Sequence, residues 1–267
     1  MEKVTTKTWT RPHYIIKEKK YRVLLLLLFL IYLFFGIKSV DIDFVRLYEG
    51  IDKGLRFVNE FIRADFTTRA GEIKNGIYES ITMSVTSTFV GVLLAIPFGV
   101  GAARNISPKW VYLFCRGFIA LSRSLQEIIV AIFFVALFGF GTFAGFLTLT
   151  YATIGFLGKL LAEEIEEIDK KQLEAITATG SSWLQRINYA IVPQVMQRMI
   201  GLFFYRFDIN FRESAVIGIV GAGGIGATLT TTLDRYEYDS AGAILIIIIL
   251  IVLACEYLSG WIRKWAS

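Results

Sequence analysis

The sequence predicts an all-α membrane protein with about six transmembrane helices. Of its 267 residues, 55% are hydrophobic, and the mean hydropathy is +0.56. A soluble domain of this length could hardly remain in solution with that composition. Apolar runs of membrane-spanning length recur along the chain, and basic residues concentrate in alternate loops. Together these features are typical of polytopic helical proteins.

The spans follow from the apolar runs, because a helix needs roughly 20 apolar residues to cross a hydrocarbon core about 30 Å thick. Six runs approach or exceed this length: Val23 to Ile37, Ile77 to Ala103, Val111 to Phe138, Phe143 to Ala162, Gln194 to Ile219 and Ala241 to Trp261. The predicted domains are a cytoplasmic segment 1–22, a first span in 23–40, an external segment 41–76 and a larger transmembrane domain 77–267.

Basic residues predict the orientation, because Lys and Arg in short loops resist translocation. The first 22 residues hold seven of them, and the loops after the second and fourth spans and the C-terminal end add more. Both termini are therefore predicted to be cytoplasmic. The stretch from Lys38 to Gly76 disagrees, since it carries seven basic and seven acidic residues.

That stretch has an amphipathic pattern. Apolar residues recur at helical spacing between charges, at Phe44, Leu47, Tyr48, Ile51, Leu55, Val58, Phe61 and Ile62. The pattern predicts a helix that either lies on the outer membrane surface or packs on the rest of the protein.

Several chemistries are excluded by what the sequence lacks. The single histidine, His13, lies in the N-terminal segment, so the spans cannot hold a histidine triad, metal site or proton relay. No G-x-x-x-x-G-K-[ST] loop is present. Cys115 and Cys255 lack metal-ligand spacing and are predicted to be core residues. The net charge of +5 equals the balance of the first 22 residues, which indicates topology and anionic lipid rather than nucleic acid. No cofactor or metal is expected on this chain.

One glycine-rich segment imitates a dinucleotide motif. It contains Gly221, Gly223, Gly224 and Gly226 in a G-x-G-x-x-G pattern. A dinucleotide site would need a soluble βαβ unit, whereas a long apolar run follows. The pattern instead favours close packing or a gate where a broken helix lies between the last two spans.

The most informative polar segment runs over about 163–193. It is acidic, with Glu174 followed by Ala175, then Gly180 and finally Pro193. These residues predict a short helix, a turn at the glycine, a second short helix that includes Trp183, and a new span opened by the proline. The alternative is that the acidic run is only a solvated helix face.

Glu174 to Pro193 resembles the EAA loop of ABC-importer permeases, written E-A-A-x-x-x-G with a later I-x-L-P. The Glu, first Ala, Gly and Pro match, whereas Ile176, Ala190 and Val192 depart from it, apolar for apolar. The resemblance implies that this loop couples mechanically to a separate ATPase dimer, which binds ATP and Mg. It assigns ATPase coupling to Glu174, Ala175, Gly180, Trp183 and Pro193.

A finer resemblance covers about Ile77 to the C-terminus. Four segments are similar to phosphonate permeases of the PhnE type: Ser122 to Glu127, Gly155 to Leu160, Tyr205 to Arg212 and Val220 to Gly226. Gln126 departs, because a proline is expected there. The resemblance implies a homodimeric importer permease of the cell membrane, fed by an external solute-binding protein for phosphonates or related phosphorus oxyanions.

Charges within the predicted spans mark a candidate pathway, because isolated charges are costly in lipid. Arg123 and Glu127 are four residues apart, and the fifth span holds Arg206, Asp208, Arg212 and Glu213. Guanidinium groups suit phosphonate oxygens, although structural pairing explains the same charges. Three further functions stay open: a permease for another small solute such as methionine, a secondary transporter, and an intramembrane enzyme of lipid metabolism.

Overall fold

The computed structural model describes residues 18–39 and 44–266, and every regular element among them is a helix. The chain separates into two compact units, Met1–Arg56 and Phe57–Ser267. Most of the N-terminal segment, including His13, lies outside the described residues.

The first unit contains α1, Lys19–Ser39, and most of α2, Phe44–Ile62. α1 is apolar around its whole circumference, and none of its residues is buried. Such a helix is stable only where lipid surrounds it. The helix predicted from amphipathic spacing is confirmed by α2, although the side chains of Phe44 and Leu47 are outside the described set. Whether α2 lies on a membrane surface stays a prediction.

The second unit begins with the last residues of α2 and continues through nine helices. Within the described part of the chain these are α3 Ala70–Gly101, α4 Lys109–Ser124, α5 Glu127–Phe138, α6 Thr142–Glu167, α7 Lys170–Ala178, α8 Trp183–Arg186, α9 Val192–Gly218, α10 Gly224–Asp234 and α11 Tyr238–Ala266. A π-helical turn, Ile187–Ile191, joins α8 to α9.

The centre of this unit is the pair α3 and α6, which pack through small residues. A Cβ atom on Gly91 would collide with Thr153, and one on Gly99 would collide with Leu161. Close approach of helix backbones through glycine is how helices associate in membranes, where no hydrophobic effect drives them together. α9 packs against the same pair, so three long helices form the frame of the unit.

In the part of the chain that the structure describes, four helices are long and apolar enough to cross a membrane: α1, α3, α6 and residues Tyr238–Trp261 of α11. They correspond to four of the six predicted spans. α9, the fifth predicted span, has 27 residues, but its charged side chains lower its hydropathy. It is therefore a spanning helix only if its charges face protein.

The third predicted span contains a sharp break. Val111 to Phe138 is divided into α4 and α5, which are bent by 96°. Leu125 and Gln126 have extended backbones and so end α4, and Glu127 opens α5, where a carboxylate favours the helix dipole. The φ of −73° and ψ of 142° at Gln126 are values that proline also adopts. The break therefore persists without the expected proline.

Candidate functional site

The predicted coupling segment is a helix–turn–helix. α7 begins at Asp169, whose side chain accepts a hydrogen bond from the Lys171 backbone N–H at 2.9 Å. Gly180 has a φ of +74°, so the turn uses a conformation that favours glycine. Ser182 and Gln185 then form a capping box that starts α8. The two predicted short helices and the glycine turn are confirmed.

The segment is exposed where a partner could contact it. Glu174 and Ala175 on α7 are exposed, as is Trp183 on α8. The Trp183 indole N–H donates to the Ile106 carbonyl at 3.1 Å, which ties α8 to the loop between α3 and α4. A cleft of about 460 Å³ lies between these parts, with Glu174 and Arg186 in its lining. The segment thus presents to a partner both an acidic side chain, Glu174, and a largely apolar cleft.

One uninterrupted helical path leads from this segment into the frame. Helical residues run from Trp183 through the π-turn to Gly218, and Pro193 lies in the first turn of α9. A proline is tolerated there because its missing N–H costs little in a first turn. About 23 residues separate Trp183 from Arg206, or roughly 35 Å of helix.

Arg206 is the most deeply buried charge of the described spans. Its side chain is 3% exposed and pairs with Glu127 at 3.2 Å, and its Nε–H donates to the Thr153 hydroxyl at 3.1 Å. Asn210, fully buried one turn further on, donates to Thr88 and Thr153. This network joins α3, α5, α6 and α9 through satisfied polar groups, which is how charge is tolerated away from water.

Arg123 reaches the same place from α4. Its guanidinium lies 5.9 Å from the centre of the Phe156 ring, and that of Arg206 lies 5.3 Å from it. A cavity of about 210 Å³ is lined by Arg123, Glu127, Phe156 and Arg206. The structure thus brings together three predicted pathway residues. It does not place Arg123 and Glu127 on one helix face, because the break lies between them.

The remaining predicted charges are further along α9. Arg212 forms an ion pair with Asp208, one helical turn away, and Asp208 is buried while Arg212 is exposed. Glu213 is within electrostatic range of Arg206 and Glu127. The charge of Asp208 is therefore paired within its own helix, although its buried Oδ1 atom has no hydrogen-bond partner among the described residues, whereas Glu213 belongs electrically with the buried cluster.

The glycine-rich segment forms a tight joint. Gly221, Gly223 and Gly224 have positive φ values of 92°, 77° and 74°. A Cβ on Gly223 would lie 2.7 Å from the Thr142 backbone nitrogen, and one on Gly226 would meet the Ala215 carbonyl. The close packing expected here is present, and α10 follows in place of any βαβ unit.

Two features of this region were not predicted from sequence. The Gly224 N–H donates to Glu79 at 3.0 Å and the Ile225 N–H to Ser80 at 2.9 Å, so α3 caps α10. Beyond the C-terminal end of α10, Glu237 pairs with Arg69, which also pairs with Glu72, and this raises the pKa of Arg69 and lowers that of Glu237. Partners 145 and 168 residues apart leave no local signal.

The sequence of this chain matches a known protein family. The family described as "Binding-protein-dependent transport system inner membrane component" matches residues 95–267. The chain belongs to this family of transport permease subunits and is a multi-pass membrane protein.

Two relatives are similar to most of the length of this chain. The chain is 37% identical to the phosphate-import permease protein PhnE of Mycolicibacterium smegmatis, over 84% of this chain and 42% of that one. It is 34% identical to the phosphite transport system permease protein PtxC of Stutzerimonas stutzeri, over 84% and 81%. The chain thus matches less than half of the length of the mycobacterial relative.

A solved structure supports the fold alone. The MetNI methionine ABC transporter, in inward-facing conformations, aligns with a TM-score of 0.65 and 19% identity over 73% of this chain and 96% of that one. The likeness confirms the predicted all-α transmembrane fold.

Proposed function

We propose that this chain is the transmembrane permease subunit of an ATP-driven importer for phosphonates or related phosphorus oxyanions such as phosphite or phosphate esters. The observation that carries the proposal is the exposed α7–α8 segment, which is continuous with α9 and thereby with buried Arg206. The names of the relatives, which concern phosphate and phosphite, support the substrate class.

ATP and Mg belong to a separate ATPase subunit in this proposal. Two copies of the chain present two α7–α8 segments to an ATPase dimer, because a two-fold assembly needs matching contacts on both halves. Glu174 contacts the ATPase electrostatically, Ala175 allows close approach, and Gly180 holds the turn. Pro193 fixes where α9 begins. An external binding protein delivers the solute.

Transport is alternating access. Closure of the ATPase pair moves the α7–α8 segments, and the continuous helix from Trp183 to Gly218 carries that movement to Arg206. Arg206 is held by Glu127, which follows the break between α4 and α5, so the break is where the pathway bends. The glycine joint at Gly221 to Gly226 acts as the gate at the other end.

Arg123 and Arg206 serve the oxyanion. Their guanidinium groups flank Phe156 beside a cavity of about 210 Å³, and guanidinium donors match the oxygens of a phosphorus oxyanion. Arg206 is already paired with Glu127, whereas Arg123 forms no ion pair with any residue that the structure describes, so Arg123 is available to attract the solute. The site passes solute on and holds it weakly, since recognition rests on the binding protein.

The test is ATP hydrolysis by the chain in liposomes with its candidate ATPase and binding protein, with methylphosphonate, phosphite or methionine. Stimulation that requires the binding protein and a phosphorus compound is expected. Stimulation only by methionine keeps the permease and refutes the substrate class. Ion-driven uptake without an ATPase establishes a secondary transporter instead.

Coupling is tested separately. Glu174→Gln with Gly180→Ala is expected to abolish solute-stimulated hydrolysis, because one change removes the contact and the other strains a positive-φ turn. Glu60→Gln with Gly201→Ala, which alters exposed Glu60 and uncrowded Gly201, serves as the control. Full stimulation in the Glu174/Gly180 variant contradicts the coupling role.

A further inference from the structure

The loop of residues 102–108, between α3 and α4, forms a basic cavity that transport does not use. Its volume is about 430 Å³, and Arg104, Ser107, Lys109, Tyr112 and Leu113 line it. This size is within the roughly 300–1,000 Å³ of small-molecule clefts. Both cations are exposed, and neither forms an ion pair with any residue that the structure describes.

The loop is fixed by its own hydrogen bonds. The Arg104 backbone N–H donates to Glu166 at 2.8 Å, the Asn105 side chain donates to the Ile165 carbonyl at 2.6 Å, and the Ser107 hydroxyl donates to the Val100 carbonyl at 2.7 Å. Because these bonds use backbone groups, the neutral Asn105 and Ser107 side chains and the Glu166 carboxylate, the side chains of Arg104 and Lys109 remain available. The cavity is therefore formed before any ligand binds.

An apolar surface adjoins the cations. α4 buries Cys115 and Ile119 on one face. Beside the cavity it exposes Trp110 by 85%, Phe114 by 69% and Leu113 by 52%. Tryptophan and tyrosine at such positions are typical of the membrane–water interface, and the loop follows the end of a spanning helix, α3. Two cations beside exposed aromatic and aliphatic side chains match a ligand with an anionic head and an apolar tail.

We propose that this cavity binds the headgroup of an anionic phospholipid, with the phosphate between Arg104 and Lys109 and the acyl chains along Trp110 and Phe114. A free phosphate would use only the two cations, whereas a phospholipid would use both the cations and the exposed apolar side chains next to them along α4. Charge and apolar surface together favour the lipid.

The cavity also adjoins the coupling segment. Ile106, two residues from Arg104, accepts the hydrogen bond of the Trp183 indole. Lipid in the cavity would hold this loop, and through it α8, in one position. The inference does not depend on which solute is carried.

Native mass spectrometry of the full chain in detergent, with equal phosphatidylglycerol and phosphatidylcholine, tests the assignment. Retention of phosphatidylglycerol in preference is expected. Each basic residue near an anionic lipid contributes about five-fold in affinity, so Arg104→Gln/Lys109→Gln is expected to lower that preference by about 25-fold. Arg63→Gln/Lys74→Gln removes the same charge from exposed positions elsewhere, and this control variant is expected to keep the preference for phosphatidylglycerol.

Four outcomes overturn the proposal. Equal retention of both lipids, or an unchanged preference in the Arg104/Lys109 variant, removes the lipid site. Displacement of phosphatidylglycerol by millimolar inorganic phosphate assigns the cavity to free phosphate. Loss of ATPase binding in phosphatidylcholine alone, for this variant and not for the control, assigns Arg104 and Lys109 to a protein contact.

Discussion

Replacing Gly226 by alanine tests the joint between α9 and α10. Gly226 is buried within α10, and its backbone φ is not positive, so alanine is compatible with the local conformation. Helix propensity alone would favour alanine by about 1 kcal/mol. The added methyl group, however, would meet the Ala215 carbonyl and lie 3.0 Å from the Cα atom of Gly218. The opposing atoms are backbone, so they cannot rotate away.

The expected magnitude follows from these two opposing terms. Overpacking costs about 1–3 kcal/mol when side chains can adjust, and the upper value applies where backbone must move. After the gain in helix propensity, Gly226→Ala is expected to lower the free energy of unfolding by about 2 kcal/mol. Gly201→Ala on α9, where nothing lies within 4 Å, is expected to raise it by up to about 1 kcal/mol.

The assay is reversible unfolding in mixed micelles, followed by circular dichroism as the mole fraction of sodium dodecyl sulfate rises. The two alanine variants should shift the midpoint in opposite directions. If Gly226→Ala is as stable as Gly201→Ala, α10 does not contact α9 as described, and the interpretation of the glycine segment as a tight joint is refuted.

Three further predictions concern ion pairs and the helix break. In the same unfolding assay, Glu127→Gln should lower the free energy of unfolding by about 1–3 kcal/mol, because Arg206 stays buried without its counter-charge. A double-mutant cycle with Arg206→Met should give a measurable coupling energy, and a coupling energy of zero would show that the pair is absent. Gln126→Pro should leave the free energy of unfolding unchanged or raise it by about 0.4–1 kcal/mol, because the backbone at Gln126 already has a conformation that proline adopts. A marked loss of stability would contradict the 96° break between α4 and α5. Because Arg69 lowers the pKa of Glu237, the ion pair between them stabilises the folded protein above the ordinary carboxyl pKa of 4.5, and this stabilisation is lost as the pH falls below that value. Thermal unfolding of Glu237→Gln should therefore depend less on pH, between about 6 and about 3.5, than thermal unfolding of the unchanged protein.

The elements that were predicted from sequence are those with local causes. α1, α3, α6 and α11 follow from length and composition, because an unbroken apolar run has one stable arrangement in lipid. The turn at Gly180 follows from a residue type that alone tolerates its φ without strain. Such features need only nearby residues.

What could not be predicted depends on distant partners. The break at Leu125 and Gln126 lies in the polar stretch Ser122 to Glu127, but no glycine or proline stands there to indicate that the helix ends. Likewise, Glu127 has two arginines as possible partners in sequence, and only the packing of α5 on α9 selects Arg206 over Arg123. The positions of these charged residues within the spans were predicted from sequence, while their pairing was not.

The π-turn at Ile187–Ile191 sets the angle at which the coupling segment leaves the membrane frame. A π-turn holds one more residue than an α-helical turn, and one residue corresponds to about 100° of rotation about the helix axis. Loss of a single residue there would keep every side chain of α7 and α8 yet rotate them around α9, toward a different side. The number of residues in the π-turn therefore sets the direction in which α7 and α8 point, whereas their side chains set the chemistry of the surface they present.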